Sequence, residues 1–129
     1  MKYLAIDYGR KKIGLAISDG ILAEPYKVIR VSSQTESLEK LSEIIKSEQV
    51  EEIVVGVSEG EMGKEQEEFA KKLTHLVKNI HLQDETLSTY DANTYSQSSG
   101  MNRKKRKQKE DAFAAAVMLQ SFLDSSLQK

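Results

Sequence analysis

The feature that most constrains this chain is a pair of short apolar runs within its first twenty residues. Tyr3-Leu4-Ala5-Ile6 ends on Asp7, and Ile13-Gly14-Leu15-Ala16-Ile17 closes on Ser18-Asp19-Gly20. Between them, Tyr8-Gly9-Arg10-Lys11-Lys12 is a polar turn containing a glycine. Two apolar runs joined in this way predict a β-hairpin. Their continuous apolar character predicts strands covered on both faces, in a sheet flanked by helices. An acid that closes a buried strand has to lie at the sheet's end, facing water, a cation or a partner. Asp7 serves equally well as a turn-starting residue, and the pattern alone does not separate the two roles.

A chain of 129 residues is long enough for one domain with a real core, here expected over residues 1–129. It has no cysteine, which excludes disulfides, thiolate nucleophiles and Cys-ligated metals. No apolar stretch approaches the roughly 18 residues of a membrane span. Met1-Lys2 leads straight into a strand without a signal-peptide core. A cytoplasmic protein with no membrane partner is the expectation. The net charge is −1, but it is unevenly spread: of 19 Lys and Arg, six fall within Arg103–Lys109, leaving 13 against 20 acids elsewhere. An acidic body with one concentrated basic segment predicts a local anion-binding surface.

Along the chain, Tyr26–Val31 reads as a third strand set off by Pro25, and Ser32–Thr35 as a helix-capping loop. Leu38, Leu41, Ile44 and Ile45 have helical spacing, predicting a helix from Glu36 to about Ser47. Glu52–Val57 is a fourth strand and Ser58–Gly63 a loop. Lys64–Lys78 is a second helix striped by Phe69, Leu73, Leu76 and Val77, and Asn79–Gln83 a fifth strand. A weakly helical stretch from Leu87 to about Gln97, the basic run, and a final helix from Glu110 to about Leu123 complete the chain. Three strands followed by alternation predict an α/β fold with a mixed five-stranded sheet. The first three strands are antiparallel and the rest parallel, with helices on both faces.

Three acids sit where such a fold could gather them: Asp7 ends the first strand, Glu85 (beside Asp84) follows the fifth, and Asp111 opens the last helix. Carboxyl ends of parallel strands share one sheet edge, where α/β proteins place their sites. Taken alone, Asp111 is well explained as an N-terminal helix acid favoured by the macrodipole. The alanines at 112, 114, 115 and 116 would also let its helix lie close against the sheet. Three gathered carboxylates repel one another and raise one another's pKa unless a cation joins them. Oxygen ligands of this kind suit Mg²⁺ or Mn²⁺. Two such ions about 4 Å apart stabilise the attacking and leaving oxygens of a phosphodiester displacement, chemistry that needs no Cys, His or Ser nucleophile. The two histidines, His75 and His81, read as structural.

Arg103, Lys104, Lys105, Arg106 and Lys107, with Lys109 beyond them, can neutralise several phosphates. They also fit a solvated loop, as basic runs often do. Their position just before the Asp111 helix favours a phosphate-gripping flap, to which Lys11, Lys12 and Arg10 could add. Gly9 and Gly14 form G-x-x-x-x-G, but Leu15 follows where a P-loop needs Lys-Ser/Thr. The Asp7–Gly9 turn also resembles the phosphate hairpin of actin-like and sugar-kinase ATPases, which need two such domains. A metabolite-phosphate binder using that turn is the remaining alternative.

Four blocks in order resemble the YqgF/RuvX family of Holliday junction resolvases and pre-16S rRNA processing nucleases, colinearly from about Tyr3 to Leu123. The family's D-x-G-x-K-R-I-G-h-A-h-S-D stands here as Asp7 to Asp19, its I-V-V-G as Ile53 to Gly56, and its D-E-R-h-S/T-T as Asp84 to Thr89. Its D-x-x-A-A-x-x-h-L-Q-x-h-L stands as Asp111 to Leu123. The resemblance implies a ribonuclease H-like fold with Asp7, Glu85 and Asp111 as catalytic, metal-holding acids. Two departures stand out. Thr86 replaces the Arg that follows the acid pair. The h-P-h-N-M-D-G loop has become Val57 to Gly63, with Glu59 and Glu61 new. Losing that Arg would weaken a phosphate contact.

The expectation is a nuclease dependent on Mg²⁺ or Mn²⁺ that acts on structured RNA or branched DNA, in pre-16S rRNA 5′-end processing or junction resolution. Lys11, Lys12 and Arg103 to Lys107 would bind the nucleic acid. The alternative is a nucleic-acid-binding module of the same fold with weakened catalysis. Resolving a junction requires two symmetric cuts and hence a homodimer.

Overall fold

The computed structural model describes residues 1–84 and 103–127. Their elements run β1 (Tyr3–Asp7), β2 (Lys12–Ser18), β3 (Ala23–Arg30), α1 (Gln34–Glu48), β4 (Glu52–Val57), α2 (Gly60–Leu73), β5 (Asn79–Asp84) and α3 (Arg103–Leu127). The strands form one sheet in the order β3-β2-β1-β4-β5. β1–β2 and β2–β3 are antiparallel, and β1–β4 and β4–β5 parallel. This is the mixed topology expected from the alternation of elements. The predicted helix over Leu87–Gln97 lies outside the described residues.

Strand alternation divides the buried side chains between two unlike faces. Leu4, Ile6, Ile13, Leu15, Ile53 and Val55 meet Leu41, Ile44 and Ile45 of α1 and Phe69, Ala70 and Leu73 of α2. The other face carries Ala5, Ala16 and Val54, and packs against Ala115, Ala116, Met118, Leu119 and Leu123 of α3. Large side chains hold two helices off the sheet, whereas small ones let the third come close.

Several boundaries differ from the sequence reading. β3 begins at Ala23 and runs through Pro25, which faces Ala16 beside a register shift at Leu15/Ala16. An edge strand tolerates a residue without N–H, and a bulge absorbs it. α1 starts two residues early, at Gln34, because Ser33 caps it: its side chain accepts from the Glu36 N–H at 3.1 Å, while the Glu36 carboxylate accepts from the Ser32 N–H at 3.2 Å.

Most of the expected Ser58–Gly63 loop is helix. α2 starts at Gly60, which takes a φ of 78°, a value cheap for glycine. A Cβ on Gly63 would lie 2.0 Å from the Ser58 carbonyl oxygen, so the first turn folds only with glycine there. The helix ends at Leu73, where the Thr74 hydroxyl donates to the Lys71 carbonyl at 2.6 Å. Val77 is buried from a turn beyond the helix, and Leu76 remains on the surface.

The basic run was expected to precede the last helix. Instead α3 begins at Arg103 and carries that run in its first turns.

Phe69 is fully buried and stacks on Tyr8, with ring centroids 4.3 Å apart. Phe69→Ala should lower unfolding free energy by about 3–5 kcal/mol, measured by urea denaturation with the slope unchanged.

Candidate active site

β1, β4 and β5 are parallel, so their carboxyl ends share one edge of the sheet. Asp7 closes β1 and Asp84 closes β5 there. Asp7 follows Tyr3 and Ala5 in the alternation that faces α3, and it stands directly opposite Gly14 in the β1–β2 ladder. Gly14 leaves space that Asp111 fills. A Cβ built on Gly14 would lie 2.2 Å from the Asp111 carbonyl oxygen and 2.7 Å from its Cβ. Opposed Cβ positions in a ladder are about 4.5–5.5 Å apart, which brings the Asp7 and Asp111 Cβ atoms within about 8 Å of each other. Two carboxylates on that span can reach one cation.

Lys12 enters the same place. It lies on the α3 face, two residues before Gly14, and its Nζ is 3.0 Å from Asp111 Oδ2. The Asp111 carboxylate is one-third exposed and the Lys12 side chain half exposed, so the pair is open to solvent. Lys11 is exposed at the turn, where its carbonyl accepts from the Val31 N–H at 2.9 Å. Arg103, Lys104, Lys105, Arg106 and Lys107 occupy the opening turns of α3, ahead of Asp111 on the same helix.

Glu85 and Thr86 lie outside the described residues. Among the described residues no three His, Cys, Asp or Glu side chains group tightly enough to hold a metal ion. Two members of the predicted trio are therefore together, and the third follows Asp84 in the chain. All three are hard oxygen donors, a set that fits Mg²⁺ or Mn²⁺.

Other predicted residues have structural roles. Arg10 forks onto Glu65 of α2, Nε lying 3.0 and 3.1 Å from the carboxylate oxygens and Nη2 2.6 Å from Oε2. The hydrogen bond from Arg10 is the main cause that holds the Glu65 pKa below the usual carboxylate range, and the same bond raises that of Arg10. Glu59 is the N-cap residue of α2 and Glu61 lies in its first turn, where the macrodipole favours acids. The altered loop therefore has a structural account. His81 lies 3.0 Å from Glu52 and against the Phe122 ring, a structural setting as expected. A groove of about 490 Å³ between β3 and α3, lined in part by Leu22, Val117 and Gln120, opens at the far end of the sheet from Asp7.

Two residues at this edge escaped the sequence reading. Gly14 carried a signal, since glycine inside an apolar strand marks close backbone approach. Gln66, 1% exposed, also carried one: it stands three residues before Phe69, on the buried stripe of α2.

A family model described as RuvX, Holliday junction resolvase, matches residues 1–125. The chain belongs to this family. A RuvX relative from Lawsonia intracellularis, named as a candidate pre-16S rRNA nuclease, is 40% identical over 98% of this chain and 95% of its own. One of the same name from Bacillus thuringiensis is 37% identical over 97% and 99%. Among solved structures, Thermus thermophilus RuvC in complex with a Holliday junction matches with a TM-score of 0.60 and 14% identity, covering 98% of this chain and 96% of that one. The Fowlpox virus resolvase with its junction DNA matches at 0.63 and 11%, covering 98% and 99%. At such identities the likeness concerns the fold, which is ribonuclease H-like in this RuvX chain, as its sequence blocks imply.

Gly14→Ala should lower stability by about 1–3 kcal/mol, measured by thermal or urea denaturation, because Asp111 and its helix must move off the sheet. Glu65→Gln tests the fork to Arg10. A carboxylate with a lowered folded pKa contributes stability above its unfolded pKa and loses it as pH falls through the folded one. The melting temperature of Glu65→Gln should therefore fall below that of the natural chain at pH 7, and the gap should close as pH drops below the carboxylate range.

Proposed function

We propose that this chain is a divalent-metal-dependent endonuclease, one domain over residues 1–129, that hydrolyses phosphodiester bonds in structured nucleic acid. The observation that carries this reading is the seating of Asp111 on Gly14, directly across the ladder from Asp7. Precursor 16S rRNA is the favoured substrate. The relatives named for that reaction match over nearly their whole length at 37–40% identity, whereas the junction complexes support the fold. Branched DNA is the second substrate, and cutting it symmetrically would require a homodimer. The reading places the chain in the cytoplasm, where precursor rRNA is processed.

Asp7, Asp111 and Glu85 would hold Mg²⁺ or Mn²⁺. When bound, the metal supplies charge stabilisation for the attacking and leaving oxygens. The chain's own residues do the rest. Lys12 steadies the Asp111 carboxylate and leaves a cation beside the position of the scissile phosphate. Lys11 and the Arg103–Lys107 turns bind the flanking backbone. Positions 104 and 107 precede 111 by seven and four residues, which puts them on one helix stripe with it. An α-helix whose first turns hold cations and no acid has its macrodipole uncompensated, and a phosphate there corrects both.

Asp7→Asn, checked for an unchanged fold, should abolish Mg²⁺-dependent cleavage of precursor rRNA and of a four-way junction. Calorimetric titration should show Mn²⁺ binding lost along with it. Unchanged cleavage by this variant would overturn the assignment. Weak metal binding and no turnover in the natural chain would favour a binding module with weakened catalysis.

A further inference from the structure

The β1–β4 ladder stops at Ile6 and Val55, one residue short of Asp7. Beyond it the two chains part, and a side chain from α2 spans the gap. The Gln66 amide oxygen accepts from the Ser58 N–H at 2.7 Å and the Ser58 hydroxyl at 2.9 Å, and its Nε2 donates to the Tyr8 carbonyl at 3.2 Å. A primary amide has the donor and acceptor of a peptide group, so Gln66 acts as an added ladder rung between the ends of β1 and β4. The Tyr8 ring is held by Phe69 from the same helix. The residue that follows Asp7 is thus fixed at both its carbonyl and its ring, while Asp7 itself is held from the β2 side by the Gly14 pairing.

We propose that Gln66 is a positioning residue for the Asp7 carboxylate: its amide bridge from Ser58 to Tyr8 sets the angle at which Asp7 leaves the sheet. This rests on the reading of Asp7 as a metal ligand. Carboxylate ligands lose metal affinity when the groups that orient them are removed. A buried glutamine on an otherwise apolar helix stripe is explained by this task, because an apolar residue there would leave the Ser58 N–H and Tyr8 carbonyl without their bridge.

The test uses the full chain and two near-isosteric variants. Gln66→Met removes all three bonds. Gln66→Glu keeps an acceptor for Ser58 but sets a carboxylate against the Tyr8 carbonyl. Leu41→Ala, in the α1 core, controls for simple loss of stability. Mn²⁺ affinity by calorimetry should fall about 10- to 100-fold in both Gln66 variants and stay unchanged in Leu41→Ala. In steady-state cleavage of precursor rRNA, kcat should fall with it while KM for the RNA holds. Natural Mn²⁺ affinity in both Gln66 variants, with Asp7→Asn losing it, would overturn the role of Gln66 and leave the site intact. Natural affinity in Asp7→Asn would overturn the site itself. Failure of both Gln66 variants to fold would make Gln66 a folding determinant and also overturn the proposal.

Discussion

The close approach of α3 to one face of the sheet is the contact on which the rest of the molecule depends. A helix normally stands about 10 Å from a sheet because side chains fill the gap. Here Ala5 and Ala16 meet Ala115 and Ala116, and at Gly14 even a Cβ is excluded by the Asp111 backbone. Small residues bury little area each, so proximity costs hydrophobic stabilisation. Met118, Leu119, Leu123 and Phe122 restore part of it further along the helix. Gln120 adds a polar tie: its amide accepts from the Ala23 N–H at 2.8 Å and donates to the Ile21 carbonyl at 3.1 Å. Gln120 ties the Ile21–Ala23 segment to α3 at one end of the sheet, and Gln66 bridges the ends of β1 and β4 at the other.

The two sheet faces therefore have different duties. The face under α1 and α2 supplies most of the core, with Leu4, Ile6, Ile13, Leu15 and Ile53 all fully buried. That stability lets the α3 face be shaped for distance between groups instead of for area. It also explains why Asp7, an acid closing the central strand, is tolerated. The residue falls where the β4 ladder has ended and is only half-buried, while its backbone remains held by β2.

What the sequence revealed, and what it hid, follows from this division. The hairpin, β4 and the two βαβ crossovers were readable because their apolar runs are continuous and are punctuated by Gly or polar turns. The convergence of Asp7 and Asp111 followed from topology and from the alanines after Asp111. At α2 the misplaced start has a clear cause, residues whose local preference yields to a tertiary contact. Gly60 and Gly63 read as breakers, yet Gly63 is what lets α2 begin against Ser58. Leu76 and Val77 continued the apolar spacing past the real end of the helix. Arg103–Lys109 read as a flap ahead of the last helix, yet it forms that helix's first turns. Gln66 showed only its place on the buried stripe of α2; its task was hidden because it lies in hydrogen bonds to Ser58 and Tyr8, which are far apart in sequence.

The basic run and Asp111 belonging to one helix changes how the charges work together. On a loop, those cations would sample many positions relative to the acid. On α3, each residue advances about 1.5 Å along a common axis, so Arg103 begins about 12 Å ahead of Asp111. The rod is anchored at its acid end by Gly14 and beyond it by Gln120. A polyanion bound to the first turns, as proposed, would lie at a set distance from Asp111. Lys12 completes the arrangement from the sheet side, bonding Asp111 at 3.0 Å. The formal charge of Asp7, Asp111 and Lys12 together is −1, so Lys12 offsets part of the repulsion between the two carboxylates.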